Sequence, residues 1–166
     1  MRETRLSLTE LYFLGTLMQA KYIDYSYIAA MPDVSKQYDL HEQEALAGLE
    51  KAGLIDVDFG GDAEVTEATR SLTEPVFFGG IETRAELDGP CNLHALEGRI
   101  TLARLDGTDI LLVAMGEDDL RTLLRGRSVT LEQADVEKGY RSASYTSDEL
   151  SREEGLKRAI AFLKGD

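Results

Sequence analysis

The stretch LHEQEALAGLEKAGLIDVDFGGDAEVTEATRSLTEPVFFGGIETR, Leu40 to Arg84, decides the fold. Asp39-Leu40-His41-Glu42 has the form of a capping box with aspartate as the cap. Leu40, Ala45, Leu46 and Leu49 then lie on one stripe of the helix that follows. Ala52-Gly53 stops that helix, because glycine accepts the left-handed conformation of a C-terminal cap and Leu54 folds back on the last turn. A short Leu54-Ile55 segment and the acidic turn Asp56 to Glu64 lead to Val65-Thr66, where Thr66 caps a second helix that Pro75 is expected to end. Val76, Phe77 and Phe78 read as strand, Gly79-Gly80 as a bulge or bend, and Ile81 to Leu87 as strand again. The whole is a helical unit with a wing-like connection running into a sheet, an arrangement suited to binding.

Upstream, Ser7-Leu8-Thr9-Glu10 is a capping box, and Leu8, Leu11, Tyr12, Leu14, Gly15 and Met18 give the helix an apolar face as far as about Lys21. Tyr22 to Met31 reads as a shorter helix closed before Pro32, since the residue before proline avoids the helical region. Downstream, Asp88-Gly89-Pro90 is a turn and Asn92 to Glu97 a weak strand. Arg99 to Leu105 and Thr108 to Met115 are strong strands joined by Asp106-Gly107, a type I′ signature. Gly116 to Asp119 opens a helix with acids over its positive end, carrying Leu120, Leu123 and Leu124 to Gly126. Arg127 to Ser147 is ambiguous. Ser147-Asp148-Glu149 starts a last helix with Leu150, Leu156, Ala159, Ile160 and Leu163 as its stripe.

At 166 residues the chain has the size of one domain, which we read as α+β, with 1–75 a winged-helix-like helical part and 76–166 an antiparallel sheet plus terminal helices. Its 31 acidic against 18 basic residues leave a net charge of -13, a field that repels phosphate backbones and anionic lipid. That charge either keeps the protein soluble or attracts a basic partner. The single cysteine, Cys91, cannot form an internal disulfide. Met1-Arg2-Glu3-Thr4-Arg5 is not followed by an unbroken apolar region, and no run approaches the ~18 apolar residues of a membrane span. The expectation is a cytoplasmic protein with no membrane and no nucleic-acid partner.

Catalytic motifs are scarce. His41 and His94 sit in no zinc spacing, the first exposed in a helix's first turn and the second on a strand face, so both read as structural. Cys91 has no evident base. Asp56, Asp58, Asp62, Glu64 and Glu67 follow the order of a calcium loop with Gly61 at its sixth position. The interrupting Gly53 and the small strand Leu54-Ile55 favour a solvated turn instead, so no metal and no cofactor is assigned. Tyr12, Tyr22, Tyr25 and Tyr27 read as core with their hydroxyls at the rim. For Phe77-Phe78, adjacent strand residues face opposite sides, so either the sheet is covered on both faces or one ring is offered to a partner.

LTELYFLGTL (Leu8–Leu17), ALAGLEKAGLID (Ala45–Asp56) and VTEATRSLTEPV (Val65–Val76) resemble the N-terminal half of the EspG-type chaperones of type VII secretion. EspG-like proteins of Gram-positive bacteria outside the mycobacteria, encoded beside LXG toxins and small helical-hairpin partners, are the most similar in length. The resemblance implies a cytosolic α+β adaptor that grips a helical secreted client and keeps it soluble, without catalysis. Mycobacterial members are considerably longer, so the partner surface does not transfer residue by residue. Phe78, Ile81, Ile110 and Leu112, with the last helix, are the residues expected to meet the partner. The rival is a winged-helix DNA regulator, against which stand Asp39, Glu42, Glu44 and Glu50 on the would-be reading helix and the acidic wing. A toxin-immunity or other protein-interaction module is a further alternative. Oligomeric state is not legible.

Overall fold

A computed structural model describes residues 3–166. Met1 and Arg2, with which the leader reading begins, lie outside the described residues. Strand β1 (Glu3–Ser7) runs into α1 (Leu8–Leu17), and α2 (Tyr25–Ala30) and α3 (Tyr38–Lys51) follow. The hairpin β2 (Ile55–Val57) and β3 (Ala63–Val65) leads to α4 (Glu67–Phe78), then the meander β4 (Ile81–Glu86), β5 (Pro90–Leu96), β6 (Arg99–Asp106) and β7 (Asp109–Met115). The chain closes with α5 (Glu117–Leu124), β8 (Val129–Asp135), β9 (Gly139–Tyr145) and α6 (Glu153–Leu163). Seven strands form one antiparallel sheet in the order β1-β7-β6-β5-β4-β8-β9, and the wing is a separate pair. The architecture is α+β.

Strand alternation sorts the core into two layers. Leu93, Ala95, Ile100, Leu102, Val129 and Leu131 pack with Leu120 and Leu124 of α5 and Leu156, Ile160 and Leu163 of α6. On the other face, Ala103, Ile110 and Leu112 meet Leu11 and Leu14 of α1, Leu49 of α3 and Phe77 of α4. Alternate strand residues are therefore apolar in both directions where helices cover both faces.

The N-terminal capping box forms: Glu10 N–H donates to Ser7 Oγ at 3.0 Å, and Ser7 N–H donates to Glu10 Oε1 at 2.8 Å. Four expectations are corrected. The helix from Ser7 ends at Leu17, short of Lys21, and the preceding residues form an edge strand paired to β7, for which Arg5 bridging Asp106 and Asp109 is a polar anchor. The cap of α3 is Gln37, at a left-handed φ of 57°, not Asp39, so Leu40 points outward and stands exposed. Pro75 does not end α4; Val76, Phe77 and Phe78 continue the helix. A proline at that position frees the carbonyl of Ser71. Arg99 Nη1 donates to that oxygen at 3.4 Å, and Thr101 Oγ1 donates to the next carbonyl, Leu72 O, at 2.7 Å. The neighbouring strand thus replaces the lost bond.

The fourth correction concerns turns. Asp106 pairs with Asp109, so the loop is Gly107-Thr108, and of these only Gly107 has a positive φ (62°), the type II′ pattern. The type I′ pattern, positive at both centres, occurs at Glu97 (50°) and Gly98 (78°) between β5 and β6. The ambiguous segment 127–147 supplies β8 and β9, which the chain reaches by crossing back beside β4 after α5.

Candidate functional site

Helices α1, α3 and α4 cover one end of their sheet face, and the other end is open. Arg84 and Glu86 of β4, Thr130, Glu132 and Ala134 of β8, and Tyr140, Ser142 and Ser144 of β9 are all exposed. The short helix α2 stands along the boundary as a wall. Three adjoining cavities follow this boundary. One of about 530 Å³ lies among Ser26, Tyr27, Arg84, Asn92, Leu105 and Glu132. A second, of about 310 Å³, lies among Tyr22, Asp24, Glu82, His94, Val136 and Tyr140. The third, about 410 Å³, shares Arg84 and Glu132 with the first and Glu82 and Tyr140 with the second. They are parts of one groove, rimmed by the exposed apolar side chains Leu105, Val136 and Tyr140.

The groove wall rests on a buried polar cluster. Asn92 Nδ2 donates to Tyr27 Oη at 3.0 Å, which leaves the hydroxyl hydrogen for His94 Nε2 at 2.7 Å and places the imidazole proton on Nδ1. Burial lowers the His94 pKa to about 4, against the opposing pull of the Asp24 charge, so the ring is neutral near pH 7. Burial also holds the Tyr27 hydroxyl protonated far into the alkaline range. Asn92 and His94 project to this face while Cys91, Leu93 and Ala95 project to the other, as strand alternation requires.

Beside them Glu82 meets Asp24. Burial is the main cause that pushes Glu82 up to about 8, the bond and charge of Asp24 add to it, and Arg84 opposes. Asp24 goes the other way: burial works to raise it, but bonds from Glu82 and from the hydroxyl and amide of Ser26 hold it below the usual carboxylate range. Asp24 is also the cap of α2, accepting the Ser26 N–H at 2.7 Å. Two carboxyl groups in contact cannot both ionise cheaply, so the pair holds one proton. Glu82 Oε1 is buried with no hydrogen-bond partner, and the nearest cation atom, Arg84 Nε, is 3.8 Å away.

The residues expected to meet a partner lie elsewhere. Ile110 and Leu112 are completely buried beneath the helices, which corrects their assignment to a surface: their faces of β7 are where the N-terminal helices pack. Phe78 is half-buried against that same layer, and Ile81 is half-buried against the opposite one. The stripe of α6 is spent on the core. His41 is half-buried in α3. Burial pushes the Cys91 thiol up, which keeps it protonated. Of the tyrosines, Tyr27 is buried, Tyr12 and Tyr22 are half-buried, and Tyr25 is exposed.

The acidic loop is the tip of the wing. Asp58 Oδ1 accepts the amides of Gly60 at 2.8 Å and Asp62 at 2.9 Å, Asp56 pairs with Glu64 across the strands, and Glu67 belongs to the first turn of α4. Among the described residues no group of three or more His, Cys, Asp or Glu is placed to hold a metal ion, and no helix is long and apolar enough to cross a membrane.

Sequence reasoning missed Asp24, Glu82, Arg84 and Asn92 as members of a site. The available signal was polar residues alternating with apolar ones at Glu82 and Arg84, and again at Asn92 and His94, on strands whose other face is core. No protein-family model matches this chain, and no curated protein matches it.

Proposed function

We propose that the protein is a non-catalytic binding adaptor of the EspG type: a cytosolic chaperone that holds a helical client of type VII secretion, an LXG-type toxin or a small helical-hairpin partner, in a soluble state. The observation that carries this reading is the half-open sheet face, whose groove has Leu105, Val136 and Tyr140 exposed along it. A covered client helix would remove those side chains from water. The sequence resemblance of Leu8–Leu17, Ala45–Asp56 and Val65–Val76 supports the family. The net charge of -13 favours a basic client and disfavours the rival DNA reading.

The test is purification of the native protein from its host with whatever accompanies it, then repetition with Leu105→Glu plus Val136→Glu. A helical secreted protein should come with the wild type, and the double variant should lose at least about tenfold of the affinity, since each change places a charge in a desolvated contact. Recovery of DNA with steep salt dependence, or an unchanged affinity in the variant, rejects the reading.

A further inference from the structure

Strand β9 is an open edge of the seven-stranded sheet. It pairs with β8 alone, and among the described residues no other backbone group bonds to the backbone of residues 139–145. In an antiparallel pair alternate residues turn their N–H and C=O away from the neighbour, so β9 presents an unpaired ladder along its outer side. Folded proteins guard such edges with charged side chains, prolines or short strands. The opposite edge, β1, follows that rule, since its five residues include Glu3 and Arg5. The seven residues of β9, Gly139-Tyr140-Arg141-Ser142-Ala143-Ser144-Tyr145, include one charge, Arg141.

That charge is turned aside. Arg141 donates to Gln133 Oε1 at 2.6 Å from Nη2 and to Asp166 O at 3.3 Å from Nη1, and its guanidinium lies over the Phe162 ring of α6. Lys138, in the turn before β9, donates to Gly165 O at 2.5 Å. Both cations beside the edge are therefore directed to the α6 face.

The open face beside the edge is acidic. Ser142 lies opposite Glu132 of β8, which lies opposite Arg84 of β4, and Glu82 and Glu86 flank that arginine along its strand. Arg84 Nε is 3.8 Å from Glu82 Oε1, and the exposed Glu132 carboxylate is in no ion pair among the described residues. Tyr140, 92% exposed, stands on the same face two residues from Ser142.

We propose that β9 is a docking edge for an extended basic segment of a partner protein, which adds as a further strand with cationic side chains on the open face and small apolar ones on the α6 face. Strands stand about 4.8 Å apart, so a Lys or Arg opposite Ser142 passes the short serine and reaches Glu132 one strand further on. The next cation along that face lies over the Tyr140 ring. On the other face a small apolar residue opposite Ala143 fits between Arg141 and Tyr145, both half-buried. A second copy of the chain is disfavoured as the occupant. It brings another net charge of -13, and the open-face residues of its own β9, Tyr140, Ser142 and Ser144, offer Glu132 no cation. The inference goes beyond the adaptor reading and does not rest on it, because the groove takes a helix on a sheet face and the edge takes a strand through backbone bonds.

The experiment titrates the end-blocked peptide Lys-Val-Lys-Val-Lys-Val-Lys onto the whole protein, read by calorimetry and hydrogen exchange. Amides within 140–145 that exchange freely in the protein alone should gain at least about tenfold in protection, while those of α1 and α4 do not change. Glu132→Lys and Ser142→Lys, both at exposed positions, should each weaken binding at least about tenfold with the fold intact by circular dichroism. N-methylation of either the peptide's lysines or its valines keeps the side chains and blocks one side of the backbone. One methylated form should lose binding and the other keep it, a difference that charge attraction alone does not produce. Equal affinity of the two methylated forms overturns the proposal, as does comparable binding of Glu-Val-Glu-Val-Glu-Val-Glu. So does a protein that dimerises in sedimentation with its β9 amides already protected.

Discussion

At the scale of single residues, the molecule hides two titratable groups whose effects on stability oppose each other. His94 is neutral in the fold, its pKa lowered from 6.5 to about 4, so folding stability falls as pH drops below 6.5 and the unfolded chain gains a proton the fold refuses. Glu82 is protonated in the fold, its pKa raised from 4.5 to about 8, so its contribution is complete below 4.5 and is lost as pH rises through 8. Between 4.5 and 6.5 the two slopes oppose, which predicts a shallow stability optimum there, followed by a decline to pH 8. Urea denaturation across pH 4 to 9 checks this: Glu82→Gln should remove the alkaline decline and leave the acid limb. Tyr27→Phe should cost about 1–3 kcal/mol, because Asn92 and His94 lose their shared partner in a buried site, and chemical denaturation reads it directly. None of this was legible beforehand. His94 read as a structural residue on a strand face, and its partner Tyr27, which Asn92 two along the strand also meets, stands 67 residues away.

At the scale of elements, local chemistry specified starts better than stops. Ser7 and Thr66 cap their helices as their side chains require, because a hydroxyl accepting a free amide needs only the next turn. Pro75 failed as a stop since the bond it removes is replaced from β6, by Arg99, 28 residues along from the Ser71 carbonyl it meets. Arg99→Ala removes both that donor and its 2.8 Å ion pair with Glu74; the pair is partly exposed, so a loss of about 1 kcal/mol is expected, with the helix fraying after Ser71 in hydrogen exchange. What turns the chain out of α4 is Gly80, at a left-handed φ of 68°, just after Gly79, which is still helical and where an added Cβ would lie 2.2 Å from Ala95 O on β5. Gly79→Ala should therefore destabilise by several times the ordinary cost of a surface change, about 2 kcal/mol or more, read as a lowered melting temperature. Gly79 and Gly80 alone connect α4 to β4.

At the scale of the whole molecule, the sheet is an interior with one half of one face left uncovered. Leu112 lies at the centre of the covered part, and Leu112→Ala should cost about 2–5 kcal/mol in chemical denaturation, which distinguishes a core position from the interface role read from sequence. Leu105→Glu plus Val136→Glu should leave the melting temperature nearly unchanged, because both side chains are already exposed, while binding of the proposed partner is lost. Two changes of apolar residues thus separate scaffold from surface.

The sequence by itself determined the class of the protein, its N-terminal capping box, the wing hairpin and the meander from Ile81 to Met115, since those depend on hydrogen bonds and periodicities within a few residues. It also determined the net charge and hence the field a partner meets. Only the tertiary structure decided which faces are covered, that 127–147 adds two strands beside β4, and that Asp24, Glu82, Tyr27, Asn92 and His94 share one site. The physical reason is that alternation along a strand says a residue faces one side or the other, but not which helix, if any, lies there.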